Sequence, residues 1–251
     1  MQKNETINWI ATAFLYGEFK EQVDDQISKY DTFLVTNKHV LKNQIEIILR
    51  LKTIENNKII EYPLQLVIED KEIWHGHPSN LIDIAIIRIN GGKLQEDGIK
   101  FFIFKSDRNI LLKTEMIESG ISLGDEIFLL GYPMGLVDLD SPVPVVRQGI
   151  IASMQNPMIK EYFLIDSQNY PGNSGGPVIY KPNINFIEGT KNYTKSRLIG
   201  VVNSYIMYND VAVSLQTRQQ VLILSQNSGL ANVIPVDYIN ETIIDYHSKN
   251  K

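Results

Sequence analysis

A chain of 251 residues with 43% hydrophobic content is long enough to bury one large core or two smaller ones. Its 24 basic and 29 acidic residues leave a formal charge of −5 scattered along the sequence, so no basic field for gripping phosphates exists and nucleic acid is not an expected partner. No apolar run approaches the roughly 18 residues that a membrane-spanning helix needs, and the absence of cysteine removes disulfides and fits a reducing compartment.

Asn8 to Gly17 opens the chain with an apolar run, and Ile10 to Tyr16 reads as a first strand. Glu5 and Asn8 interrupt the stretch before Ala11-Thr12-Ala13, so no secretory leader is expected and a cytoplasmic location follows. The polar insert Phe19 to Tyr30 reads as a loop or brief helix before the strand Thr32 to Thr36. Ile45 to Thr53 and Ile59 to Ile68 form a hairpin joined through Glu55-Asn56-Asn57-Lys58. Next come Trp74-His75-Gly76-His77-Pro78, read as a surface loop and not a metal site, and the strand Asp83 to Ile89. This turn spacing predicts a small antiparallel barrel over residues 1–90.

Residues 91–118 read as a connector between barrels. Strand rhythm then resumes at Glu126 to Gly131, Val143 to Met154, Glu161 to Asp166, Pro177 to Tyr180, Arg197 to Ser204 and Gly229 to Ile234, predicting a second barrel over 119–235. Pro235 introduces a helix, Val236 to His247, within a terminal segment 236–251. The expected fold is all-β: two packed six-stranded antiparallel β-barrels with a C-terminal helix. Met207 to Gln226 is long for a connection and reads as a helix, an oligomerisation edge or a lid.

Pro171-Gly172-Asn173-Ser174-Gly175-Gly176-Pro177 is the stretch richest in chemistry. Three glycines around one serine permit a tight turn that presents the hydroxyl and aims backbone N–H groups at one spot. A serine hydroxyl is inert near neutral pH unless a histidine takes its proton and a carboxylate orients that histidine. His39, in Thr36-Asn37-Lys38-His39-Val40, and Asp83, in Asp83-Ile84-Ala85, supply both. The catalytic set is therefore His39, Asp83 and Ser174, with Gly172, Asn173 and Ser174 as the oxyanion hole, and the site is placed in the crevice between barrels.

These three segments, in the order His, Asp, Ser, resemble the signatures of trypsin-like (chymotrypsin-fold) serine peptidases. Gly124-Asp125-Glu126, Gly131-Tyr132-Pro133-Met134-Gly135-Leu136, Arg147-Gln148-Gly149-Ile150-Ile151 and Gly229 to Val236 are similar to the bacterial HtrA/Deg-type protease domain. The resemblance implies a serine endopeptidase acting through an acyl-enzyme on protein or peptide substrates, with no cofactor and no metal. Asn173 stands where cleavage-activated trypsins hold an aspartate, so activation by a new N-terminal amine is not expected. Only the helix and Ser248 to Lys251 follow Asp245, leaving no room for the PDZ domain usual in HtrA-type proteins, so control by loop ordering or by a regulatory protein partner is expected.

Gln168, Asn169 and Tyr170 should wall the pocket for the residue on the acyl side of the cut, with uncharged Gln168 at its floor. Asn203, Ser204 and Tyr205 should offer an edge where substrate adds as a strand. The alternative is a partner-gated or catalytically silent binding module of the same fold; a third reading is an esterase-like or peptide-ligating acyl transferase, in which nucleophiles other than water resolve the same acyl-enzyme. Oligomeric state is left open.

Overall fold

The computed structural model describes residues 8–24, 27–136, 143–154, 161–181 and 195–250, so Glu5 of the leader argument lies outside them. Strand β1 (Phe14–Gln22) pairs antiparallel with β2 (Ser28–Thr36), Phe14 opposite Val35. The inner halves of both are buried, while the outer half of β1 is exposed and that of β2 half-buried. The insert expected as a loop or helix instead continues this hairpin: Phe19 packs edge-on against Tyr30 and Lys29 pairs with Glu21 at 2.7 Å. Such cross-strand pairs hold a ribbon without a buried face.

A single helical turn, α1 (Lys38–Leu41), follows β2. Then β3 (Glu46–Thr53) and β4 (Ile59–Gln65) form the expected hairpin, with Asn57 at the positive φ of 55° that its turn needs. Short pieces β5 (Val67–Ile68), β6 (Lys71–Glu72) and β7 (His75–Gly76) lead to β8 (Ala85–Ile89), which pairs with β2.

Residues 91–118, read as a connector, hold α2 (Gly91–Glu96), β9 (Ile99–Lys100), β10 (Ile103–Lys105) and α3 (Lys113–Glu118). Here the expected first barrel fails to appear. Among the described residues the first half is a five-stranded sheet, β10-β1-β2-β8-β7, beside the three-stranded sheet β4-β3-β9 and the pair β5-β6. The cause lies in the connector: β10 occupies the outer edge of β1 in parallel, while β9 takes the edge of β3, so those strands are not joined to each other.

The second half closes as predicted. β11 (Glu126–Gly131), β12 (Val145–Ser153), β13 (Phe163–Asp166), β14 (Pro177–Tyr180), β15 (Arg197–Val213) and β16 (Gln220–Pro235) form a six-stranded barrel in the order β11-β12-β13-β16-β15-β14. Ile127, Leu129, Ile151, Ile165, Val178 and Val233 alternate inward to fill it. β15 and β16 outrun the barrel as a two-stranded ribbon ending at Val213 and Gln220, the conformation taken by the stretch for which three readings stood open.

Helix α4 (Asp237–Lys249) lies across the first sheet. Its Ile239 and Ile243 join Phe33, Val35, Ile84 and Ile86 of the first half and Leu198, Val201 and Ile234 of the second in one cluster. Burial pushes the Tyr16 hydroxyl above the usual tyrosine range, and that hydroxyl donates to Asn240 Oδ1 at 2.6 Å. Three histidines pair with carboxylates along the helix: His75 with Asp245 at 2.7 Å, His77 with Glu241 at 3.2 Å and His247 with Glu18 at 2.8 Å. This corrects the reading of His75 and His77 as a surface loop, since His77 is buried beneath α4. Glu18, Asp31 and His247 lie close enough to share a cation, and the Lys20 ammonium takes that place, 2.8 Å from Glu18 and 3.3 Å from Asp31.

Candidate active site

His39 rides on α1, immediately after the buried end of β2. Asp83 sits between fully buried Ile82 and Ile84, whose inward side chains turn its own toward α1. One carboxylate oxygen accepts the His39 backbone N–H at 3.1 Å and the other meets the ring Nδ1 at 2.5 Å. Buried Asn37 fixes the same loop by donating from Nδ2 to the Asp83 carbonyl at 2.8 Å. With the carboxylate gripping both backbone and ring, the neutral imidazole carries its proton on Nδ1 and leaves Nε2 free to accept one. Lys38 points the other way, donating to Ser79 O at 2.8 Å, and burial draws its ammonium below the usual lysine range.

Ser174 lies in the turn between β13 and β14, and the carbonyls there show how the turn is held. Pro171 O accepts from Met134 N at 2.5 Å, Asn173 O from Gly176 N at 2.8 Å and Ser174 O from Thr12 N at 2.9 Å. Gly172 O accepts from the Thr12 hydroxyl at 2.7 Å. Across a trans peptide the C=O and the following N–H point in opposite directions. Holding Pro171 O and Asn173 O on the protein side therefore turns the Gly172 and Ser174 N–H groups outward, and neither has an acceptor among the described residues. Two unpaired, fixed N–H groups beside a hydroxyl form a seat for negative charge. The Asn173 N–H, expected with them, is spent on Tyr170 O at 3.1 Å, which leaves Asn173 out of the donor pair.

Glycine is required at all three glycine positions of this turn, and two of them also hold a positive φ. Gly172 has φ +99°, and a Cβ there would fall 2.2 Å from Tyr132 O. Gly175 has φ +80°, and a Cβ would fall 2.3 Å from both Thr12 O and Thr36 Oγ1. That closeness sets the serine turn against the end of β2 from which His39 follows. Asn173 is buried with its Oδ1 against Gly131, and its Nδ2 has no hydrogen-bond partner among the described residues.

Thr12 is the residue that sequence reading missed. Buried at 5% exposure, it bonds the serine turn twice, accepts the Tyr132 N–H on its hydroxyl at 3.1 Å and takes the Thr36 hydroxyl on its carbonyl at 2.9 Å. Met134, quoted in the Gly131 to Leu136 segment but with no role assigned, stands at a left-handed φ of 57° in the 3-10 turn Pro133–Gly135 and donates its N–H to Pro171 O. A threonine between two alanines carries no local signal of such a role, because its partners lie up to 160 positions away.

The expected pocket wall packs against the base of β16. Ser167 N donates to Gly229 O at 3.0 Å, and Asn227 Nδ2 donates to the carbonyl of buried Asn169. Gln168 is exposed, its Oε1 accepting from the Tyr170 hydroxyl at 3.1 Å, while the Arg147 guanidinium lies 5.1 Å over the Tyr170 ring. β15 meets the serine turn at Val202, whose N–H donates to Gly176 O at 2.9 Å and whose O accepts Gly175 N at 3.0 Å. Half-buried Asn203, Ser204 and Tyr205 lead away from that junction, past a bulge between Val202 and Ser204.

Residues 15–182 match the model of a family described as trypsin-like peptidase domain, a span that contains His39, Asp83 and Ser174 and ends before β15. No curated protein matches the chain. Among the described residues, no helix is long and apolar enough to cross a membrane.

Proposed function

The chain belongs to the family of trypsin-like peptidase domains, and on that premise we propose that it is a serine endopeptidase using Ser174, His39 and Asp83. Ser174 Oγ attacks the carbonyl carbon of the scissile peptide bond as His39 Nε2 takes its proton. Asp83 keeps the ring's tautomer and stabilises the imidazolium that forms. The developing oxyanion is received by the Gly172 and Ser174 N–H groups, each such donor worth about 3–4 kcal/mol of barrier lowering. Collapse expels the amine with the proton from His39, and water activated by the same imidazole releases the acyl group from Ser174.

The observation that carries this reading is the pairing of two arrangements: a carboxylate that holds His39 at two atoms, and a serine turn whose carbonyls from Pro171 to Ser174 are engaged while two N–H groups are open. The HtrA-type resemblance extends the proposal to control by a partner or by ordering of the loops around Asn173, which as an amide cannot form an ion pair with a new N-terminal amine. Gln168, Asn169 and Tyr170 border the acyl-side pocket and Asn203, Ser204 and Tyr205 form its substrate edge in this reading. Incubation of wild type and Ser174→Ala with a denatured protein substrate and a peptide library tests it. Fragments from wild type alone support the proposal; identical digests from both, or intact substrate at stoichiometric enzyme, favour the silent binding module.

A further inference from the structure

β15 pairs with β14 only as far as Val201, opposite Pro177. From Asn203 onward that edge of β15 has no strand partner among the described residues, and it runs on to Val213 with β16 on its other side alone. The open edge begins at the serine turn itself, through the Val202 bonds to Gly175 and Gly176. Asn203, Ser204 and Tyr205 are therefore only the first residues of a longer template. Ile206 to Val213 add eight residues, roughly 27 Å of further edge at strand spacing.

The ribbon that carries this edge is built for a covering it does not have. Val221, Leu222, Ile223 and Leu224 are consecutive and 50–68% exposed, so apolar side chains emerge on both faces at once. Tyr208, Val211 and Val213 on β15 are exposed as well. Between Ile206 and Ser228 the charged residues are Asp210 and Arg218 alone and proline is absent, so a single charge, Asp210, stands on this edge where several charges and prolines ordinarily blunt a free strand. The tip is nevertheless ordered: Ser214 N donates to Gln219 O at 3.0 Å and Arg218 N to Ser214 O at 2.8 Å. The base is tied to the pocket wall through Asn227 and Asn169. A two-stranded ribbon is marginal alone in water, and a third strand is what stabilises it.

We infer that the β15 edge from Ile206 to Val213 is an extended docking strand for the part of a protein substrate that precedes the cut, and that it selects an unstructured, apolar, uncharged segment. The inference rests on the peptidase reading of Ser174. It commits to substrate because the free edge is continuous with the edge at which the scissile segment is proposed to lie. The direction proposed is that of the barrel's own strands, which all pair antiparallel, although the bridge from Ile110 to Leu198 near the start of β15 is parallel. A peptide entering the same way, with its scissile bond at Ser174, runs its N-terminal side outward along β15 toward Val213. Backbone hydrogen bonds give affinity along the edge, and alternate side chains meet the apolar faces.

The test uses a short fluorogenic peptide that wild type cleaves, and the same peptide extended by eight alternating Val and Thr residues at its N-terminus, at its C-terminus, or by eight alternating Lys and Glu residues at its N-terminus. The expected result is a KM at least about tenfold lower for the apolar N-terminal extension alone, with kcat little changed. A ribbon-shortened chain, in which Tyr208 to Gln226 are replaced by Asn-Gly, should cleave the short peptide as wild type does and lose the advantage of the extension. The full-length double variant Leu222→Lys, Leu224→Lys should lose most of it without any deletion. Anisotropy of the labelled extended peptide on Ser174→Ala reads docking without chemistry, so loss of cleavage with retained docking would count against the peptidase reading and leave the strand standing. Equal KM values for all extensions together with equal anisotropy would overturn the inference. So would a ribbon buried between two copies, seen as a wild-type dimer by light scattering that becomes monomeric on shortening, with no dependence on peptide extension.

Discussion

Asp83 and Thr12 do comparable work from opposite ends of legibility. Asp83 holds the His39 ring, and Asp83→Asn should lower kcat about 10⁴-fold with little change in melting temperature, because the amide favours the wrong ring tautomer without disturbing the fold. Thr12 touches no reacting group and is a positioning residue: by holding Gly172 O and Ser174 O it fixes the peptides that flank the one bearing the Ser174 N–H. Thr12→Val strands the buried Gly172 carbonyl, a cost of about 1–3 kcal/mol in stability. The same variant should lower kcat with KM nearly unchanged, and Thr12→Ser should restore most of it; equal loss in the serine variant would show that packing and not the hydroxyl matters. His39, Asp83 and Ser174 were readable because each sits in a short segment whose residue types announce chemistry. Thr12 and Met134 were not, since their contribution lies entirely in bonds to distant parts of the chain.

At the scale of elements, the second barrel was legible because its strands bury one face each, leaving alternation in the sequence. The outer β1-β2 hairpin and the β15-β16 ribbon were misread or left open for the converse reason: both faces meet solvent, so no periodic pattern marks them as strands. The open first half was hidden in the same way, because β9 and β10 are only two and three residues long. Helix α4 was foreseen, although not its docking through histidines. There the Lys249 ammonium and then His75 hold the Asp245 carboxyl below its usual range. A carboxyl whose folded value lies below its unfolded value adds stability that is present above the unfolded value and lost as pH falls through the folded one. The melting temperature should therefore decline on acidification below about pH 4, and Asp245→Asn should flatten that decline. Parallel acid slopes for the two proteins, in melts recorded between about pH 3 and pH 7, would contradict the assignment.

For the whole molecule, the halves are joined by the cluster in which α4 meets both and by Thr12, which begins in the first half and bonds to the second. A site assembled across such a seam exists only while both halves are folded together. Ile239→Ala, in fully buried α4 surface, should cost about 2–5 kcal/mol and shift a single calorimetric transition as a unit; two separated transitions would mean independent halves. The central claim is that this seam brings an activated hydroxyl at Ser174 to one spot with His39 and Asp83. Its most direct test is the intact mass of the protein after exposure to a fluorophosphonate, followed by peptide mapping of the adduct. The account predicts one adduct, on Ser174, formed far more slowly in His39→Ala and absent in Ser174→Ala. An adduct on another residue, or equal labelling of wild type and Ser174→Ala, would contradict it.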